Sequence, residues 1–167
     1  MFGLFTKSFG LFSNSSSPAI RPLRAGHSQA CAAIHAACFA FPWTPNDIEA
    51  LVAAPTTLGD GAFGAKANDL QGFILSRRAA DEAEVLTIAV APRKRGQGIA
   101  SRLLEANLSL LATKGVKSLF LEVEAENQAA LALYARFAFE TVGERKSYYR
   151  KAGGETALAY IMRRPVG

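Results

Sequence analysis

Sulfur and imidazole are scarce in this chain, which has two cysteines and two histidines in 167 residues. Cys31 and Cys38 sit in an alanine-rich stretch, form no CxxC pair and have no metal-ligand partners nearby. They read as small packing residues in a reducing cytoplasm, and no metal site is expected. His27 and His35 have no carboxylate or cysteine at useful spacing and take no catalytic role. No apolar run approaches the roughly 20 residues that span a bilayer. The glycines match neither a nucleotide-binding Walker loop, since no Gly-Lys-Ser/Thr follows them, nor the three-glycine dinucleotide fingerprint. No repeat suggests a solenoid, and no internal linker suggests a second domain. Acidic residues are the minority, 14 against 19 basic, for a net charge of +5. That balance suits an anionic cofactor or a ribosomal or nucleic-acid neighbourhood. A nucleic-acid binder ranks last, because no recognition motif and no basic stripe interleaved with aromatics is present.

What is present is enough apolar material for a folded domain. Half the residues are hydrophobic, and the length fits one domain with a substantial core. Residues 1 to 17 form a separate tail, in which Phe-Gly-Leu-Phe occurs twice before a serine-rich stretch. Residues 18 to 167 form the domain. Alternating patterns predict strands at Ala19–Leu23, Ala62–Ala65, Gln71–Arg77, Glu84–Val90, Ser118–Val123, Phe139–Lys146 and Thr156–Met162. Helices are predicted at Ser28–Phe39 with Ser28 as cap, Asp47–Ala53, Gly98–Thr113 and Gln128–Phe137. The order β-α-α-β-β-β-α-β-α-β-β gives an α/β fold, a mixed central sheet with helices on both faces.

The stretch Arg95-Gly96-Gln97-Gly98-Ile99-Ala100, followed by Ser101, joins the strand ending at Val90 to the leucine-rich helix. A strand-to-loop-to-helix turn points several backbone N–H groups outward at the positive end of the helix dipole, where an anion can sit. Gly96 and Gly98 let the backbone approach a phosphate. Arg93, Lys94 and Arg95 add positive charge at the mouth. Many such turns bind nothing, so the loop alone proposes only a phosphate-bearing ligand.

Leu121-Glu122-Val123-Glu124-Ala125-Glu126 alternates apolar and acidic residues, placing the glutamates on one face of a strand. Glu124 and Glu126 read as solvated. Glu122 follows an unbroken apolar run, which predicts burial and a raised carboxyl pKa. Asn127 can cap the next helix and shares a face with Leu131 and Tyr134. Tyr134 reads equally as a core tyrosine and as a proton donor at a cleft floor. Tyr148 and Tyr149, on a loop between closing strands, read as ligand contacts or as hairpin flanks. Trp43, the single tryptophan, is expected to pack with partial exposure.

These pieces resemble the Gcn5-related N-acetyltransferases, whose Arg/Gln-x-x-Gly-x-Gly/Ala loop is matched by Arg95 to Ala100. Phe41-Pro42-Trp43, Leu121-Glu122-Val123, Asn127, Ala132-Leu133-Tyr134 and Arg145-Lys146-Ser147-Tyr148-Tyr149 resemble, within that superfamily, the bacterial enzymes that acetylate the N-terminal alanine of ribosomal protein S18. The likeness runs over about residues 19 to 164. It departs at Phe137-Ala138-Phe139, where Leu-Gly-Phe is usual, and the missing glycine bears on the local turn.

The resemblance implies an acyltransferase using acetyl-CoA as donor, without a metal. It implies Glu122 as general base and Tyr134 as general acid. The loop Arg95 to Ser101 would seat the pyrophosphate, the backbone of Ile88, Ala89 and Val90 would pair with pantetheine, and Asn127 would contact the cofactor arm or the peptide. Trp43, Tyr148 and Tyr149 would hold the acceptor, and Arg93 or Lys94 the outer phosphate. The implied partner is a protein N-terminus, with no direct nucleic-acid or membrane contact, and the chain is a monomer or weak dimer in the cytoplasm. A small amine or a lysine side chain is the alternative acceptor; a non-catalytic coenzyme A-binding module is the alternative class.

Overall fold

The computed structural model describes residues 17–66, 68–150 and 156–167, with residues 147–150 and 156 described through their backbone alone. The expected tail, 1 to 17, lies outside the described residues except for Ser17. The elements run β1 (Ala19–Pro22), α1 (Ser28–Cys38), α2 (Pro45–Ala53), β2 (Thr57–Phe63), β3 (Leu70–Ala79), β4 (Glu82–Val90), α3 (Ile99–Thr113), β5 (Ser118–Glu124), α4 (Gln128–Arg136), β6 (Glu140–Arg150) and β7 (Thr156–Pro165). Their order and types match the sequence reading. The strands form one sheet in the order β1-β2-β3-β4-β5-β7-β6. Only β4 and β5 pair in parallel, so the sheet is mixed.

Period-two alternation divides the core between the two faces. On one face Leu103, Leu104 and Leu111 of α3 and Leu133 and Tyr134 of α4 pack with Ile74, Val85, Leu119, Leu121 and Val123. On the other, Cys31 and Ile34 of α1 and Ile48 of α2 pack with Phe63, Phe73, Leu75 and Ala89. Gly72 lets α3 lie close to the sheet: a Cβ there would meet the Ala89 carbonyl oxygen at 2.9 Å and Ile99 Cγ2 at 3.2 Å. Buried Ser76 on β3 donates to Asn107 Oδ1 on α3 at 2.6 Å, a polar pin through an apolar layer.

Three local expectations are corrected. Ser28 does not cap α1; it is the buried first helical residue, and a 3-10 turn over Ala25–His27 precedes it. The strand expected at Ala62–Ala65 is β2 and starts at Thr57. Its glycines, normally turn residues, serve close packing, since a Cβ at Gly59 would meet Leu75 Cδ2 at 2.7 Å. The helix placed at Asp47 begins at Pro45, because Thr44 accepts the N–H of Asp47 at 3.2 Å while Asp47 Oδ2 accepts the N–H of Thr44 at 2.8 Å, a reciprocal cap.

Candidate active site

The site is built on a parting of strands. β4 pairs with β3 over most of its length but with β5 only through Glu82–Glu84 against Ser118–Phe120. A bulge sits where they separate: Leu75 faces Thr87 and Ser76 faces Val85, leaving Leu86 with no opposite residue. A bulge bends and twists its strand, and here it turns β4 away from β5. Beyond it, the facing edges of Val85–Val90 and Leu121–Glu124 have no strand partner among the described residues. Apart from the Val90 carbonyl, which side chains reach, the amide and carbonyl groups along these edges need partners, and an extended chain carrying amides could enter between them. Ile88, Ala89 and Val90 lie on this edge.

The phosphate-loop candidate stands at the end of β4. Gly96 and Gly98 hold φ values of +73° and +76°, left-handed conformations that favour glycine. A Cβ at either would meet nothing within 4 Å, so the space above the loop is open. Gly98 is the N-cap of α3 and has no side chain to cap with; the first bond into the helix is from Arg102 N–H to the Gly98 carbonyl, 3.1 Å. The N–H groups of Ile99, Ala100 and Ser101 are left to an outside acceptor at the positive end of the dipole. An anion of pyrophosphate type fits there.

Two arginines at the loop differ from the sequence reading. Arg95 does not offer a free guanidinium at the mouth. Its Nε donates to the Val90 carbonyl at 3.4 Å, and its Nη2 lies 3.2 Å from Cys38 Sγ. Cys38 also donates to the Val90 carbonyl at 3.4 Å. Cys38 is therefore not only a packing residue: it ties the end of α1 to the loop. Cys31 is buried as expected, which pushes its thiol up to about 12. Arg136, which the sequence did not single out, donates to Ser101 Oγ at 2.9 Å and brings a cation from α4 to the start of α3. Arg93 and Lys94 line a depression of about 380 Å³ with Asp69, Leu70, Gln71, Ala91 and Pro92; neither Glu122 nor Tyr134 borders it.

Glu122 overturns the expectation of burial. It alternates with buried Leu121 and Val123, and its side chain keeps 29% of its surface exposed. Arg145 Nη1 on β6 donates to Glu122 Oε2 at 3.1 Å, reaching across β7. Oε1 has no hydrogen-bond partner among the described residues. Tyr134 is buried, its ring tilted against Phe139 at 5.6 Å, and burial pushes its hydroxyl up to about 12. Asn127 caps α4 as expected, its Oδ1 accepting the Ala130 N–H at 3.1 Å, which leaves its Nδ2 for other donation.

On the acceptor side, Trp43 is half-buried, as expected. Tyr148 and Tyr149 belong to β6 and not to a loop, and the β6–β7 register passes from Ser147 to Arg150 without pairing them. Their side chains lie outside the described residues. His35, given no role by its sequence neighbours, is in direct contact with Trp43.

Residues 29–139 match the model of the acetyltransferase (GNAT) family. The N-alpha-acetyltransferase RimI of Mycobacterium tuberculosis is 38% identical over 154 residues, 89% of this chain and 92% of that protein. The ribosomal protein bS18-alanine N-acetyltransferase of Salmonella typhimurium is 38% identical over 97 residues, 58% of this chain and 65% of that enzyme. Among solved structures, the ribosomal-protein-S18-alanine N-acetyltransferase of Escherichia coli superposes with a TM-score of 0.81 at 30% identity, covering 89% of this chain and 94% of the other. A parted mixed sheet ending on an open glycine loop, with these relatives beside it, makes the chain an acyltransferase of the GNAT family.

Proposed function

We propose that this enzyme transfers the acetyl group of acetyl-CoA to the α-amine of a protein N-terminus, and that its acceptor is the N-terminal alanine of ribosomal protein S18. The observation that carries the reading is the β4–β5 cleft, which runs from the stretch of β4 at Ile88–Val90 that β5 does not pair to the unsatisfied N–H groups of Ile99–Ser101. A cofactor with an amide-bearing arm and a pyrophosphate fits such a cleft in that order. The names of the relatives supply the acceptor. Residues 18–167 would work as one domain, as a cytoplasmic monomer or weak dimer.

The chemistry then divides among few groups. An α-amine has a pKa of about 7.7–8.0 against about 10.4 for lysine, so freeing it costs roughly 3.4 kcal/mol less. Glu122 would take the amine proton on Oε1, directly or through water, with Arg145 holding Oε2. The amine nitrogen bonds to the thioester carbon, the carbon–sulfur bond breaks, and the thiolate leaves. Tyr134, protonated at every working pH, would donate a hydrogen bond to that thiolate. Complete transfer of its proton to a thiolate of ordinary pKa, about 8.5, runs uphill from about 12, so its contribution is charge stabilisation as the bond breaks, with the thiolate's final proton coming from solvent. Asn127 Nδ2 would meet the arm or peptide, and Trp43, Tyr148 and Tyr149 the first acceptor residues.

The test is an acceptor panel with acetyl-CoA: an S18-derived peptide beginning with alanine, the same peptide N-terminally blocked but carrying lysine, and a free polyamine. The reading expects kcat/KM highest for the alanine peptide. Faster turnover of the blocked peptide or of the polyamine would move the enzyme to a side-chain or small-amine acceptor.

A further inference from the structure

The connection from α1 to α2 carries three aromatic side chains, Phe39, Phe41 and Trp43. Phe39 and Phe41 are 42% and 63% exposed, so the segment does not hold itself in place by burial. One buried histidine secures it. His35, in the last turn of α1, is 4% exposed. Its Nδ1 accepts the backbone N–H of Trp43 at 3.1 Å. Its ring stacks on the indole with centroids 4.7 Å apart and planes 13° apart, and Phe39 leans on it at 4.3 Å. A backbone N–H only donates, so Nδ1 must present a lone pair; the imidazole is neutral with its proton on Nε2.

We propose that His35 is a positioning residue for the acceptor side of the site, its neutral imidazole clamping Trp43 and with it the aromatic segment against which the acceptor N-terminus rests. This rests on the proposed reading of Trp43 as an acceptor contact. Protonation would place a hydrogen on Nδ1 facing the Trp43 N–H, two donors head to head. The stack survives as a cation–π contact, but the bond that sets the segment's position is lost.

On the turn before α1, His27 accepts the Arg24 N–H at 3.0 Å and rests on Phe63, Arg24 is exposed, and the charged groups on the other elements packed against α1 also leave the imidazole to itself. On α2, Asp47 is committed to the Thr44 cap and Glu49 is exposed. Arg77 of β3 and Glu84 of β4 pair with each other at 3.3 Å. Arg78 of β3 donates to the Lys114 carbonyl, and Glu82 of β4 is exposed. On α1 itself, Cys38 meets Arg95 and Val90, and Cys31 is buried. Burial without a neighbouring carboxylate lowers the His35 pKa, which keeps the clamp closed at neutral pH.

Trp43 is the single tryptophan, so its fluorescence reports on the clamp directly in the full-length chain, whatever the acceptor. Between about pH 8 and 5, emission should step with a midpoint below the ordinary histidine value of about 6.5. The step should vanish in His35→Asn, which keeps an acceptor near the Nδ1 position and does not titrate; its survival there would assign it to His27 and overturn the proposal. A flat wild-type titration also overturns it and needs no variant to fold. At pH 7.5, His35→Phe keeps a ring and loses the acceptor; the acceptor-peptide KM should rise about fivefold, the worth of one hydrogen bond. The kcat and the acetyl-CoA KM should hold, and His35→Asn should restore the peptide KM. Equal damage to both KM values, or none to the peptide KM, contradicts a positioning role. If no peptide is turned over, the acceptor assignment fails, and the fluorescence step alone decides the clamp.

Discussion

Glu122 and Tyr134 lie on opposite faces of β5. Leu121 and Val123 share the α3–α4 core with Tyr134, while Glu122 alternates with them and points the other way to Arg145. The proposed base and the proposed hydrogen-bond donor to the thiolate therefore meet through the cleft between β4 and β5, each reaching the reacting centre from its own side. Glu122→Gln should lower kcat about 10²–10⁴-fold, the usual contribution of a general base, with the acetyl-CoA KM unchanged. Its half-open ion pair is worth less than about 1 kcal/mol, so thermal stability should barely move. Tyr134→Phe keeps the ring on Phe139 and should lower kcat with a near-native melting curve. Unchanged kcat in either variant, measured by steady-state thiol release, removes that residue from the mechanism.

The cofactor loop predicts a separation of binding from chemistry. Gly98→Ala places a Cβ on a residue at φ +76°, a strain of about 1–2 kcal/mol, and sets a methyl group in the open space proposed for pyrophosphate. The acetyl-CoA KM should rise and the acceptor KM should hold. Calorimetric titration with coenzyme A checks this; undiminished affinity would place the pyrophosphate elsewhere.

How much of this could be read from the sequence depended on range. The element order follows from local apolar periods, and the glycine loop follows from three neighbouring positions. Pairs that meet through the fold left no local trace: Arg145 is 23 residues from Glu122 and Arg136 is 35 from Ser101. Glu122 misled because an apolar run before a carboxylate fixes its strand but not its face, and β5 turns that face outward. His35 was missed because its partner is a backbone N–H and an indole, for which no spacing rule exists. The first half of β2 was missed because Gly59 is held in the strand by Leu23 and Leu75, side chains distant in sequence.

Ala138 shows how the chain manages without the usual glycine. It sits at φ +57° just after α4, with its N–H on the Ala135 carbonyl and the Phe139 N–H on the Tyr134 carbonyl, both at 3.0 Å. The turn is kept and the strain is accepted. Ala138→Gly should relieve it, less the entropy glycine adds to the unfolded chain, for a net gain on the order of 0.5–1 kcal/mol. A melting temperature raised by about 1–4 °C is expected; a lowered one contradicts the strain.

Asp60 is buried on β2, and desolvation raises its pKa. The folded state then binds its proton more tightly than the unfolded state does. Stability from this group is full below the unfolded pKa of about 3.8 and is lost as pH rises through the higher folded value. Asp60→Asn should therefore melt higher than wild type at pH 7.5, with the difference closing toward pH 4. A variant that melts lower at neutral pH would mean that the carboxylate is held charged by a favourable partner.

The central claim concerns which nitrogen receives the acetyl group. Tandem mass spectrometry of an alanine-starting S18 peptide that also carries an internal lysine, after incubation with the enzyme and acetyl-CoA, reads this directly. The account predicts acetylation on the alanine α-nitrogen with the lysine untouched, and loss of that product with Glu122→Gln. An acetyl group on the lysine Nε, with the α-amine left free, would contradict it.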